Sequence, residues 1–236
     1  LISSNDWSGF NSKTTAADVE SASRLLQRDG WEWQVASDGD ATPTAFGAVS
    51  YALTGGTATR DTGTGPSGIL ITNAAAAGDD AGYIVSIAAG GFVTTTNNWM
   101  FSTSLKVTNL TNVRSWVGLC NTSVASMDSQ NPNNRHVAAF RFSTNSANWF
   151  LYTGDGDSVS STATDTGVAA TTDITALKLI GTTNAVVGFI NGVPVATNAT
   201  DLPRVACVFL NSIHPTAAES KGFTWWYTRG VFQFQY

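Results

Sequence analysis

The sequence predicts an all-β chain folded as a two-sheet antiparallel sandwich, with one short N-terminal helix. Three observations predict it. Apolar and polar residues alternate with the period of two that a half-buried strand requires. Turn dipeptides such as Asp38-Gly39, Gly55-Gly56 and Gly65-Pro66 punctuate the alternating runs. The 236 residues include eight Trp and twelve Phe, apolar area enough for the single core that β domains of about 200 to 250 residues build. Residues 1–64 are read as an N-terminal segment of helix and short strands, residues 65–236 as the sandwich, and the two as one compact unit.

The helix is read from its ends. Thr14 or Thr15 can cap it, Asp18 and Glu20 suit its positive end, and Arg24 and Arg28 suit its negative end before Gly30. Val19, Ala22, Leu25 and Leu26 give it one apolar face.

The clearest strand covers Trp99 to Val107. Trp99, Phe101, Leu105 and Val107 share one face, and Ser102, Ser104 and Lys106 the other. Ser115 to Cys120 is apolar on both faces, and His136 to Phe142 aligns Ala138, Phe140 and Phe142 on one side. Ala176 to Ile180 and Val186 to Ile190 follow. Asn191-Gly192 then supplies the two positive φ angles of a type I′ turn into Val193 to Thr197. Pro194 has no N–H for a ladder, so its strand should lie at a sheet edge.

The C-terminal run changes parity. Phe223, Trp225 and Tyr227 are odd, whereas Phe232, Phe234 and Tyr236 are even, so an extra residue is expected at Arg229-Gly230, as a β-bulge or tight turn. The same reading turns Trp226 away from its neighbours and makes it a candidate contact between subunits.

Charge narrows the partners. Charged residues make up 12% of the chain, about half the usual share, and Ser, Thr, Asn and Gly must cover the surface instead. The formal net charge is −5, with Lys and Arg scattered singly, which argues against nucleic-acid binding through the phosphate backbone. No apolar run approaches the roughly 18 residues of a membrane-spanning helix, so membrane insertion is not expected. The chain begins at Leu1, and a processed N-terminus is expected. Cys120 and Cys207 lie in apolar strand-like contexts, as buried free thiols do, although one disulfide between them stays open.

Chemistry-bearing residues are sparse. The Glu residues, Glu20, Glu32 and Glu219, form no pair at i and i+2 on a strand, which is where a β-scaffold glycosidase would hold its carboxyls. His136 is read as a strand-edge residue and His214, before Pro215, as a loop residue, neither near a recognisable nucleophile elbow. Two isolated histidines do not space a metal centre, so no cofactor or metal is expected. Asp155-Gly156-Asp157 and Asp38-Gly39-Asp40 are acidic turns without the twelfth-position Glu of a calcium loop. Near the first of them, Trp149 and Tyr152 are a candidate glycan platform together with Asp155 and Asp157, since an aromatic face with polar rims suits a sugar ring.

From about Gly65 to the C-terminus, the order GPSGILIT, AGYIVSI, WMFSTSLKVTNLTNVRSWVGL, VAAFRFSTNSANWFLYTGDG, DTGVAATTDITALKLIG and AVVGFINGVPVATNATDLP resembles a concanavalin A-like (legume-lectin or glucanase-type) jelly-roll module of tailed-phage structural proteins. The resemblance implies two curved antiparallel sheets. It transfers no active site, because the catalytic carboxylates of glucanases and the metal ligands of lectins have no counterparts here. Two functions follow as expectations. One is a non-enzymatic virion structural protein, a capsid decoration, cement or fibre-type module on the virion surface, with other virion proteins and copies of itself as partners. The other is a lectin-like module that binds a host-surface glycan as a receptor-binding protein or adhesin.

Overall fold

The computed structural model describes residues 30–36, 45–46, 49–61, 68–75, 80–87, 92–93, 98–121, 127, 134–144, 146–157 and 161–233. The expected helix and the turn at Asp38-Gly39-Asp40 lie outside the described residues. Every regular element longer than one turn among them is a strand. None is a helix long and apolar enough to cross a membrane.

In chain order the strands are β1 (Gly30–Ala36), β2 (Ala45–Phe46), β3 (Val49–Thr54), β4 (Thr57–Asp61), β5 (Gly68–Thr72), β6 (Ala81–Ile87), β7 (Phe92–Val93), β8 (Asn98–Val107) and β9 (Val113–Cys120). They continue as β10 (His136–Ser143), β11 (Ser146–Asp155), β12 (Ser161–Ala169), β13 (Thr175–Gly181), β14 (Val186–Ile190), β15 (Val193–Asn198), β16 (Ala206–Pro215) and β17 (Gly222–Gln233). Two antiparallel sheets result. One runs β15-β14-β13-β8-β17-β5-β4, with β1 paired to the far half of β17. The other runs β12-β11-β10-β9-β16-β6-β3-β2, with β7 paired to the start of β16.

The alternation read from the sequence places the core between them. Trp99, Phe101, Leu105 and Val107 of β8 face Phe140, Phe142, Trp149 and Phe209 of the other sheet. The Phe101 and Phe209 rings stack with centroids 4.0 Å apart. The hairpin forms as expected, with Asn191 at φ 51° and Gly192 at φ 83°, and Pro194 lies on β15, an edge strand. Cys120 and Cys207 are both buried and are not bonded to each other.

The parity change in β17 is real but sits earlier than the sequence suggested. Trp225 pairs with Leu105 and Tyr227 with Ser104, so Trp226 is the extra, bulged residue. Beyond it the inward set becomes Thr228 and Gly230, and Tyr227 turns outward. The bulge has a chemical use: it brings the Thr228 hydroxyl into the core. There Trp225 Nε1 donates to it at 2.8 Å, and Tyr83 Oη and Thr103 Oγ1 lie 3.0 and 3.2 Å away. Buried indole and phenol groups need such partners. Burial pushes the Tyr83 phenol above its ordinary pKa.

Candidate functional site

At one end of the sandwich a solvent-open pocket of about 560 Å³ is lined by Thr182, Thr183, Thr200, Asp201, Leu202 and Arg204. That volume is in the range of small-ligand sites. Two connections make it: the turn between β13 and β14, and the loop between β15 and β16.

Local hydrogen bonding shapes both. Thr182 Oγ1 accepts from the backbone N–H of Asn184 and Ala185, tightening the first turn. In the second loop Asp201 takes a φ of 51°, a left-handed conformation that Asp tolerates better than most residues. Its Oδ2 accepts from Thr162 Oγ1 at 2.7 Å, and Thr200 Oγ1 lies 2.7 Å from the same hydroxyl. The loop is thus tied to β12.

Arg204 in turn ties the loop to the acidic turn. The Asp155 carboxylate, 6% exposed, pairs with the Arg204 guanidinium at 2.9 Å, while the Arg204 side chain stays 67% exposed. Asp155 Oδ1 also accepts from the Asp157 N–H. Gly156 is required between them: its φ is +83°, and a Cβ there would fall 2.4 Å from His136 Nε2. The pocket thereby offers the Thr183 hydroxyl, outward guanidinium N–H groups and carboxylate oxygens, with Leu202 as an apolar surface. Asp201 in the lining and Asp155 against Arg204 together outweigh that one cation, so a neutral polar ligand suits the pocket better than an anion.

His136 couples this site to pH. Its Nδ1 accepts from the Arg204 backbone N–H at 3.2 Å, so it holds the loop only while unprotonated. Burial pulls its pKa below the ordinary 6.5, opposed by Asp155, assisted by Arg204 and opposed by Asp157. The folded state therefore binds this proton less readily than the unfolded one, and the stability it contributes is complete above 6.5 and lost as pH falls through the folded value. Ligand binding at the pocket should weaken over the same window. An NMR titration of His136 should give a midpoint below 6.5, and a midpoint above it would remove the coupling.

The candidate platform residues are not brought together. Trp149, 1% exposed, lies in the inter-sheet core, edge-on to Phe142 with centroids 4.9 Å apart. Tyr152, 5% exposed, points to the opposite face of the same strand, as their spacing of three demands. Of the four, only Asp155 touches a residue of the pocket, through its ion pair with Arg204. Trp226 is half-buried, its Nε1 3.1 Å from where a Cβ on Gly68 would sit. Sequence reading missed Arg204, Thr183 and Asp201, for which the Thr-Asp-Leu-Pro loop was the available signal.

On the outer face of the larger sheet lies a second buried cluster. The Arg141 guanidinium carbon sits 5.5 Å from the Trp116 ring centre and 5.3 Å from that of Tyr152. Arg141 Nη1 donates to Tyr152 Oη at 2.6 Å and Nη2 to Ser143 Oγ at 3.0 Å. Met127, Cys120 and Leu210 pack with these rings.

No protein-family model matches the chain, and no curated protein matches it by sequence. Solved structures do. A protein of unknown function from Shewanella oneidensis MR-1 aligns over 98% of this chain and 95% of its own, with a TM-score of 0.62 at 8% identity. The apo Crh5 transglycosylase aligns over 86% and 85%, with a TM-score of 0.56 at 15% identity. The Emp47p carbohydrate recognition domain aligns over 84% and 95%, with a TM-score of 0.54 at 8% identity. The fold is therefore a two-sheet antiparallel jelly-roll sandwich of the concanavalin A-like type. The expectation that the chain is no enzyme is corrected: a transglycosylase has a similar fold, so the fold is one on which catalysis occurs. The similar structures named here lend nothing to a virion role.

Proposed function

We propose that this protein is a carbohydrate-binding β-sandwich whose glycan site is the pocket of Thr182, Thr183, Thr200, Asp201, Leu202 and Arg204. The observation that carries the reading is the exposed Arg204 guanidinium, fixed by the nearly buried Asp155 carboxylate at 2.9 Å beside Thr183. A donor edge pre-oriented in this way can grip sugar hydroxyls with little loss of side-chain freedom. The similar fold of a carbohydrate recognition domain supports the same reading.

The test is binding to an array of neutral oligosaccharides, followed by calorimetry on any hit. Arg204→Ala should weaken binding about tenfold or more, the equivalent of one charge-assisted hydrogen bond. Absence of any glycan ligand, or a hit bound equally well by Arg204→Ala, would refute the assignment.

A further inference from the structure

We propose that Ser212, His214 and Asp80 form a nucleophile, base and carboxylate set for acyl transfer on the outer face of the larger sheet. Ser212 and His214 are two apart on β16 and share that face. Ser212 Oγ lies 2.8 Å from His214 Nε2. On the other side of the ring, Asp80, just before β6, brings Oδ1 to 2.8 Å from Nδ1, with the carboxylate off the N–H line. A carboxylate can only accept, so the proton belongs on Nδ1 and Nε2 is left to accept from the serine hydroxyl. This is the polarity that activates a serine.

An independent observation points to a ligand. Trp116 lies directly across from Ser212 in the β9 to β16 register, and its Nε1–H is buried with no hydrogen-bond partner. Buried indole donors are ordinarily satisfied. An unspent donor across from an activated hydroxyl is suited to a developing oxyanion. Ser212 and His214 are 0% exposed, whereas Asp80 and Arg114 at the outer end of the row are partly exposed. The substrate class proposed is a small acyl ester.

In the step, Ser212 Oγ bonds to the ester carbonyl carbon as its proton passes to His214 Nε2. The carbon–oxygen bond to the alcohol breaks, and the alcohol leaves with that proton. Water then attacks the acyl-serine, gives a proton to Nε2, and releases the acid as the hydroxyl is restored.

The test treats the folded full chain with diisopropyl fluorophosphate and reads intact mass and peptide maps, alongside hydrolysis of p-nitrophenyl acetate. One adduct on Ser212 is expected, with ester hydrolysis above buffer. Both should vanish in Ser212→Ala and slow at least tenfold in Asp80→Asn, whose partly exposed position makes misfolding less of a concern. No adduct on the wild-type chain, an adduct elsewhere, or hydrolysis unchanged in Ser212→Ala would overturn the proposal and leave a purely structural polar trio. Arg204→Ala should not alter labelling, so this proposal and the glycan assignment fail separately.

Discussion

Trp225→Ala should be among the most destabilising single substitutions in this protein, lowering the free energy of unfolding by about 3 to 5 kcal/mol. The side chain is fully buried, its ring centre 4.9 Å from that of Tyr83, and its Nε1–H is satisfied by Thr228 at 2.8 Å. Truncation leaves a large cavity between the sheets. It also removes a donor from the hydroxyl knot of Thr228, Tyr83 and Thr103. Against a total stability of about 5 to 15 kcal/mol for a typical domain, the loss takes a substantial share. Denaturant titration would show a lower midpoint with an unchanged slope, and a shift under about 1 kcal/mol would mean that the core closes over the gap.

The same strand shows where sequence reading reaches and where it stops. A change of parity between Phe223 and Phe232 was legible, because alternation counts residues. Its position was not, because an aromatic at Tyr227 reads as inward by composition alone. What places the bulge at Trp226 is the need of Tyr83 and Trp225 for a buried acceptor, and that need appears only when β6, β8 and β17 meet in space. The Asn191-Gly192 hairpin and the edge position of Pro194 were legible for the opposite reason, since their chemistry is contained in adjacent residues. The glycan platform failed by the rule that made strands readable: residues three apart on a strand face opposite ways. His214 was read as a loop residue because Pro215 follows it, yet β16 runs through Pro215. Its alternation with Ser212 was visible, while Asp80 and Trp116 are supplied by other strands and connections far away in the chain.

The pocket poses the question of what holds it, and Asn198 is the answer the structure gives. This residue ends β15 in one sheet, 2% exposed, and reaches across to the other. Its Nδ2 lies 3.2 Å from the Leu151 carbonyl, 3.1 Å from Thr153 Oγ1 and 3.2 Å from the Thr162 carbonyl. Its Oδ1 accepts from Thr164 Oγ1 at 2.6 Å. One amide thus clasps the sandwich edge to β11 and β12, and the pocket loop starts at the next residue. Asn198→Ala removes the clasp and leaves buried carbonyls and hydroxyls short of partners, which should cost about 2 to 4 kcal/mol. Because the loop loses its anchor, glycan binding should fall together with stability. That combination separates Asn198 from Arg204, whose loss should weaken binding with the smaller stability cost of one partly exposed ion pair. Parallel thermal melts and binding isotherms on the two variants decide the matter: if Asn198→Ala melts early yet binds normally, the loop is held by Thr162 and Asp155 alone.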